Sequence, residues 1–262
     1  MNDQPPVLQH ALAIDSSTDQ LSIALAPGPL PLPGAHEWNT APILSITDAG
    51  SAKASHTLLS HVQALLDQAG LAVRDLGCIA FGRGPGAFTG LRTACAVAQG
   101  LAFAHQTPVM SVGSLMTTAQ AARAHCPDRL RISALLDARM DELYAATFVF
   151  DGPLIPGTVP LDVEPPALIS PDEVADAVAD WQAQALHPVL AGNTEALYGN
   201  RWAHAAWQAE HHLATPDATA MLQLLPALWA AGLATEAAHA VPLYVRDRVA
   251  LTTAERAARA HA

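Results

Sequence analysis

The stretch Cys78-Ile-Ala-Phe-Gly-Arg-Gly-Pro-Gly86, continued by Ala87-Phe-Thr-Gly-Leu-Arg92, decides how this sequence is read. Four apolar residues form a short buried strand. Three alternate glycines then make a loop, and a helix follows from about Thr89 to His105. A glycine-rich loop before a helix can cradle phosphate, because free backbone N–H groups and the helix dipole point at the ligand. Here no Lys-Ser/Thr pair follows the glycines, and the spacing is not that of a dinucleotide fingerprint. A structural strand-to-helix turn is the favoured reading, and phosphate binding remains an alternative. Gly90 and Gly100, inside the helix, point to the close approach of another helix.

Upstream, His10-Ala-Leu-Ala-Ile-Asp15 and Leu21-Ser-Ile-Ala-Leu25 alternate around Ser16-Ser17-Thr18 and predict a β-hairpin. Its tip, with Asp15 and Thr18, offers a second place for a phosphate, although Asp and Ser at a turn more often bond their own backbone. Pro27 to Pro42 reads as loop, and Ile43–Ile46 as a third strand. In His56–Gly70, Leu58, Leu59, Val62, Leu65, Leu66 and Ala69 recur at helical spacing, so this segment is an amphipathic helix. These residues cannot all face one side of it. Val109–Val112 is a further strand. Three strands, then helix, strand, helix and strand, give a mixed sheet covered by helices, the order of a ribonuclease-H-like, actin-type lobe.

Beyond Gly113 a second group of elements follows. It comprises a helix at Leu115–Ala124, strands at Arg131–Leu136 and Glu142–Phe150 joined by Asp137-Ala-Arg-Met-Asp141, and a helix at Pro171–Gln184 capped by Ser170. A strand at Pro188–Gly192 and a long final helix at Asp217–Leu233 complete it. We expect residues 1–110 to form one lobe and 111–216 a second, smaller one. The helix at 217–233 packs back on the first lobe by analogy with the fold, and 234–262 is a C-terminal segment and tail.

The 262 residues carry a net charge of −11 and a single lysine, Lys53. A protein that grips a phosphate backbone alone needs a basic stripe, so any nucleic acid is expected to be reached only through a partner. Apolar runs end well short of the roughly 18 residues of a membrane span, and Met1–Pro6 has neither the basic residue nor the apolar core of a signal peptide. A cytoplasmic protein without membrane contact is expected. Cys78, Cys95 and Cys126 form no Cys-x-x-Cys pair and read as small buried hydrophobes. His56 and His61 point about 140° apart on a helix and cannot share a metal. His211-His212 is read as part of a polar loop, and His125 and His204 as surface residues. No nucleophile motif is present. The expectation is no metal, no cofactor and no catalytic residue.

Ala13-Ile-Asp-Ser-Ser-Thr18, Gly82–Arg92, Ala98-Gln-Gly-Leu-Ala102, Ser114-Leu-Met116, Asp137-Ala-Arg-Met140 and Pro242-Leu-Tyr-Val-Arg246 together resemble the TsaB family, also called YeaZ. The resemblance runs in order over most of the chain. It implies a two-lobed actin/Hsp70-like fold. It also implies a place in the machinery that makes N6-threonylcarbamoyladenosine at position 37 of tRNAs reading codons that begin with A. In that machinery TsaD, a paralogue, transfers the group, and TsaB pairs with TsaD. The ATPase TsaE joins them, and TsaB-like proteins also self-associate. TsaD-like proteins carry a His-x-x-x-His metal pair where this chain has Ser114 and Thr118. The implied pairing surface is the two helices starting near His56 and Thr89, with His56, Leu59, Val62, Leu66, Arg92, Ala96 and Gly100 as candidates. Asp15, Thr18, Gly84 and Gly86 would be remnants of phosphate loops. The rival readings are an ATP-dependent small-molecule kinase or ATPase of the same fold, which needs phosphate loops in both lobes, and a peptidase, which needs a nucleophile or metal.

Overall fold

The computed structural model describes residues 7–31, 42–50, 54–129, 131–150, 162–163, 165–183, 189–202 and 210–246. The first sheet has five strands. β1 (Gln9–Asp15) and β2 (Gln20–Pro29) form the expected hairpin, and β3 (Leu44–Ala49) adds to β2. β4 (Cys78–Gly84) and β5 (Val109–Gly113) continue the sheet on the other side of β1, in parallel, giving the order β3-β2-β1-β4-β5. β2 runs into the segment expected to be loop, as far as Pro29. Of that expected loop, residues 32–41 lie outside the described ones, as do Met1–Pro6, Lys53, His204 and the tail from residue 247.

The second sheet repeats this plan. β6 (Arg131–Arg139) and β7 (Glu142–Val149) form a hairpin, with β8 (Asp162–Val163) beside β7. β10 (Val189–Gly192) lies parallel to β6, and β11 (Glu210–Leu213) parallel to β10, giving β11-β10-β6-β7-β8; β9 (Ala167–Ile169) pairs with the other end of β7. Two mixed sheets of one topology, each flanked by helices, make the two-lobed actin-like fold. The expected polar loop around His211-His212 is therefore a strand. His212 bonds Glu210 at 2.9 Å, His125 stacks on His212, and His211 stacks on Trp202 of α5 (Glu195–Trp202), a helix the periodicity did not reveal.

The two faces of the first sheet differ in kind. Leu12, Ile14, Leu21, Ile23, Leu25, Ile79 and Phe81 project toward α1 (Ala54–Ala69) and α2 (Phe88–Phe103). Ala11, Ala13, Ala24, Ala26 and Ala80 project the other way. Period-2 alternation of large and small side chains leaves a shallow face, and a helix rich in large residues fills it. That helix is α6 (Ala218–Ala230), through Met221, Leu222, Leu224, Leu225 and Leu228. Conversely α3 (Ser114–Ala122), which leaves the first sheet, packs Leu115, Ala119 and Ala122 into the core of the second. Each sheet is thus covered on its inner face by the helix that follows the other. Asp217 caps α6 from its carboxylate. Ser170 and Glu173 close a reciprocal capping box at α4 (Pro171–Ala183). α6 ends at Ala230, three residues before the expected Leu233, where Gly232 turns left-handed and its N–H reaches the Trp229 carbonyl.

Candidate functional site

The hairpin tip and the glycine loop form one packed unit. Asp15 is fully buried at the end of β1, where Oδ1 accepts hydrogen bonds from the Ser17 N–H at 2.8 Å and the Ser17 hydroxyl at 2.7 Å. Burial pushes its carboxyl up to about 6, against the opposing pull of the Ser17 bonds. The second oxygen, Oδ2, has no partner and lies against Gly82, so that a Cβ there would overlap it. A Cβ at Gly86 would run into the Ser17 carbonyl, and one at Gly90 into the Ser16 carbonyl. The Ser16 hydroxyl donates to the Gly90 carbonyl at 2.8 Å, and the Ala87 N–H to the Ser17 carbonyl at 2.7 Å.

The glycines therefore let the start of α2 lie directly on the tip of the β1–β2 hairpin. Gly84, at φ +112°, sits beneath the Leu243 carbonyl, and the Leu243 N–H bonds the Arg83 carbonyl. Thr18 Oγ1 accepts from the Gln20 N–H, an ordinary turn contact. Asp15, Gly84 and Gly86, named from sequence as remnants of phosphate loops, are engaged by neighbouring protein atoms. Thr18 stands beside them at the turn.

Ser114 and Thr118 begin α3 and are both fully buried. Thr118 Oγ1 donates to the Ser114 carbonyl at 2.9 Å, while the Ser114 hydroxyl has no partner. Among the described residues no three His, Cys, Asp or Glu side chains converge as a metal site. His61 instead bonds Asp48 at 3.0 Å. All three cysteines are buried and free, and burial pushes the Cys78 thiol up to about 12.

The outer surface of α1 and α2 is the other candidate. The sequence left open which residues of α1 face outward. The structure puts Val62 and Leu66, both named as partner-facing, in the core with Leu58 and Leu65. That is a correction: these two leucine-spaced positions hold α1 to the sheet. His56 and Leu59 point outward, Leu59 with 54% of its surface exposed. On α2, Arg92, Ala96 and Gly100 are exposed as the four-residue spacing predicts. A Cβ at Gly100 would meet nothing within 4 Å, so no neighbour among the described residues requires a glycine there. Phe103, one turn further, is 77% exposed and was not singled out from sequence.

Arg92 has a second set of contacts. Its guanidinium lies 3.8 Å from the Phe88 ring centre, and its Nε donates to the Tyr244 hydroxyl at 3.0 Å. Phe88 and Tyr244 pack with ring centres 5.2 Å apart. Sequence could not join residues 152 positions apart.

The comparisons with known proteins agree with one another. A family model described as TsaD, tRNA N6-adenosine threonylcarbamoyltransferase, matches residues 49–253. The chain is 29% identical over 249 residues to the tRNA threonylcarbamoyladenosine biosynthesis protein TsaB of Escherichia coli (strain K12), covering 91% of this chain and 95% of that one. It is 35% identical over 141 residues to the protein of the same name from Haemophilus influenzae, covering 53% of each chain. The solved structure of YeaZ from Pseudomonas aeruginosa superposes with a TM-score of 0.73 at 34% identity, covering 90% of this chain and 100% of that one. The six motifs, the duplicated sheet topology and these relatives place the chain in the TsaB (YeaZ) family.

Proposed function

We propose that this chain is a non-catalytic subunit of the assembly that forms N6-threonylcarbamoyladenosine at position 37 of tRNAs reading codons beginning with A, and that it pairs with and supports a TsaD-type catalytic paralogue. The names of its relatives support the pathway. The observation that carries the pairing role is the uncovered face of α1 and α2, where exposed Leu59 and Phe103 stand with Ala96 and Gly100. Small residues in a helix stripe allow close helix approach, and flanking large apolar groups supply buried area. The same face serves self-association when the paralogue is absent, and a TsaE-type ATPase joins the pair. With a net charge of −11 the chain meets tRNA only through the complex.

Depletion of the protein followed by mass spectrometry of bulk tRNA nucleosides tests the pathway. Threonylcarbamoyladenosine falls sharply if the reading is right, and an unchanged level removes it. Tight ATP binding with turnover by the isolated chain would instead favour the kinase or ATPase reading.

A further inference from the structure

Between the lobes lies a cleft of about 530 Å³ that shares only Arg92 with the candidate pairing surface. Its walls are the start of α2, the β6–β7 turn and the segment Leu243–Arg246. Three of the sequence motifs, remote along the chain, meet there. Phe88 (44% exposed), Tyr244 (43%) and Met140 (53%) present apolar surface to the same space. Arg92 supplies the charge. Its Nε is held by Tyr244 and its face by Phe88, and it forms no ion pair among the described residues.

The turn that carries Met140 is held in an uncommon shape. Arg139, Met140 and Asp141 are all left-handed, at φ 64°, 59° and 62°. Consecutive non-glycine residues in that region persist only where surrounding bonds impose it. Here Arg246 imposes it, donating to the Ala138 carbonyl at 2.9 Å and the Arg139 carbonyl at 3.2 Å while pairing with Glu142. Asp137 adds a bond to the Arg139 N–H. The sum is a rigid apolar rim beside one pre-oriented guanidinium.

We propose that this cleft docks an extended segment of a partner protein in which a carboxylate side chain lies next to a large apolar or aromatic one. The two Nη groups of Arg92 are left for the carboxylate, in the fork geometry that guanidinium and carboxylate share. The neighbouring side chain would lie against Met140 and Tyr244, where thioether and ring both favour an aromatic contact. Arginine, tyrosine and methionine are also the residue types enriched in protein interfaces. Charge complementarity selects this occupant over nucleic acid. Three arginines line the cleft, but Arg139 pairs with Asp137 and Arg246 with Glu142, which leaves Arg92 as the guanidinium without an ion pair among the described residues. One such group on a chain of net charge −11 matches one carboxylate, whereas a phosphate backbone needs a basic stripe.

The test uses the full chain and alanine-based nonapeptides with a central Glu-Phe, Glu-Leu, Lys-Phe or Lys-Leu pair, read by fluorescence polarisation. Saturable binding of the Glu peptides, at least tenfold tighter than of the Lys peptides, is expected. Arg92→Gln should abolish the preference, and Met140→Ala should weaken binding severalfold with unchanged thermal melting. Met140 and Tyr244 lie off α1 and α2, so Met140→Ala should leave co-purification with the TsaD-type paralogue intact. Failure of peptide binding thus stays separate from failure of the pairing role. The proposal is overturned if no peptide binds, if Glu and Lys peptides bind alike, or if Met140→Ala has no effect. It is also overturned if a labelled single-stranded RNA binds in a manner lost in Met140→Ala, which would give the cleft to nucleic acid.

Discussion

Gly90 in the first turn of α2 lies directly against the carbonyl of Ser16, and the Ser16 hydroxyl closes the contact by donating to the Gly90 carbonyl at 2.8 Å. The obstacle to a side chain at position 90 is backbone, which cannot swing aside. Gly90→Ala should therefore destabilise the fold by about 2–4 kcal/mol, in the range of overpacking at a site that cannot relax. Urea denaturation of the two proteins measures it, and a change under about 0.5 kcal/mol would mean that the hairpin tip yields.

The buried carboxyl of Asp15 gives a stability that depends on pH. Its folded value, about 6, lies above the ordinary 3.8. Between these values the folded state holds a proton that the unfolded chain has released, so stability falls as pH rises from about 4 to about 6 and stays lower above that. The loss is on the order of 3 kcal/mol. Asp15→Asn keeps an oxygen for Ser17 and removes the ionisation. Its stability should be flat through that window and equal or greater at pH 7. A mutant with the same pH slope as the natural protein would show that another group is responsible.

Two pairs of substitutions separate the outer surface of α1 and α2 from the face of α1 that packs on the sheet. Leu59→Glu and Ala96→Glu should leave the melting temperature nearly unchanged and should abolish co-purification with the TsaD-type paralogue if the proposed pairing face is right. Val62→Ala and Leu66→Ala cost about 2–4 kcal/mol each, through lost burial and the cavity left behind. Any surviving complex in Leu59→Glu and Ala96→Glu, measured by size-exclusion chromatography with light scattering, would move the interface elsewhere.

Gly100 discriminates further, because a Cβ there would meet nothing within 4 Å among the described residues. Gly100→Ala should raise the stability of the isolated chain by about 0.5–1 kcal/mol through helix propensity. Gly100→Leu should be tolerated by the isolated chain and should weaken pairing at least tenfold, if a partner helix approaches there. Unchanged affinity in Gly100→Leu would place the partner helix at a distance.

Elements with a strong local period were legible in the sequence. The β1–β2 hairpin, α1, α2 and α6 each carry enough apolar repeats to fix their type. Ser170 was read correctly as a cap because a small hydroxyl residue there precedes Pro171 and the first-turn acids Asp172 and Glu173, and the structure adds its reciprocal bonds with Glu173. β11 was missed because an edge strand of four residues with Glu and two His has no apolar alternation to show. Val62 and Leu66 were assigned to a partner because period alone marks an apolar stripe wider than the sheet can cover, and only the packed structure shows where its edge falls. The meeting of Arg92, Phe88 and Tyr244 depends on the return of the chain from the second lobe to the first, which no local pattern encodes.

The exchange of α3 and α6 between the sheets also has a consequence for synthesis. The alanine face of the first sheet is closed by Met221, Leu222, Leu225 and Leu228, which leave the ribosome more than a hundred residues after β5. Until then the nascent first lobe exposes that face to the cell. A fragment ending near residue 113 should accordingly be insoluble or chaperone-bound, and supplying residues 210–246 on a separate peptide is the direct way to rescue it. The two lobes look like separable units in outline, yet the first has no complete interior until the last helix is made.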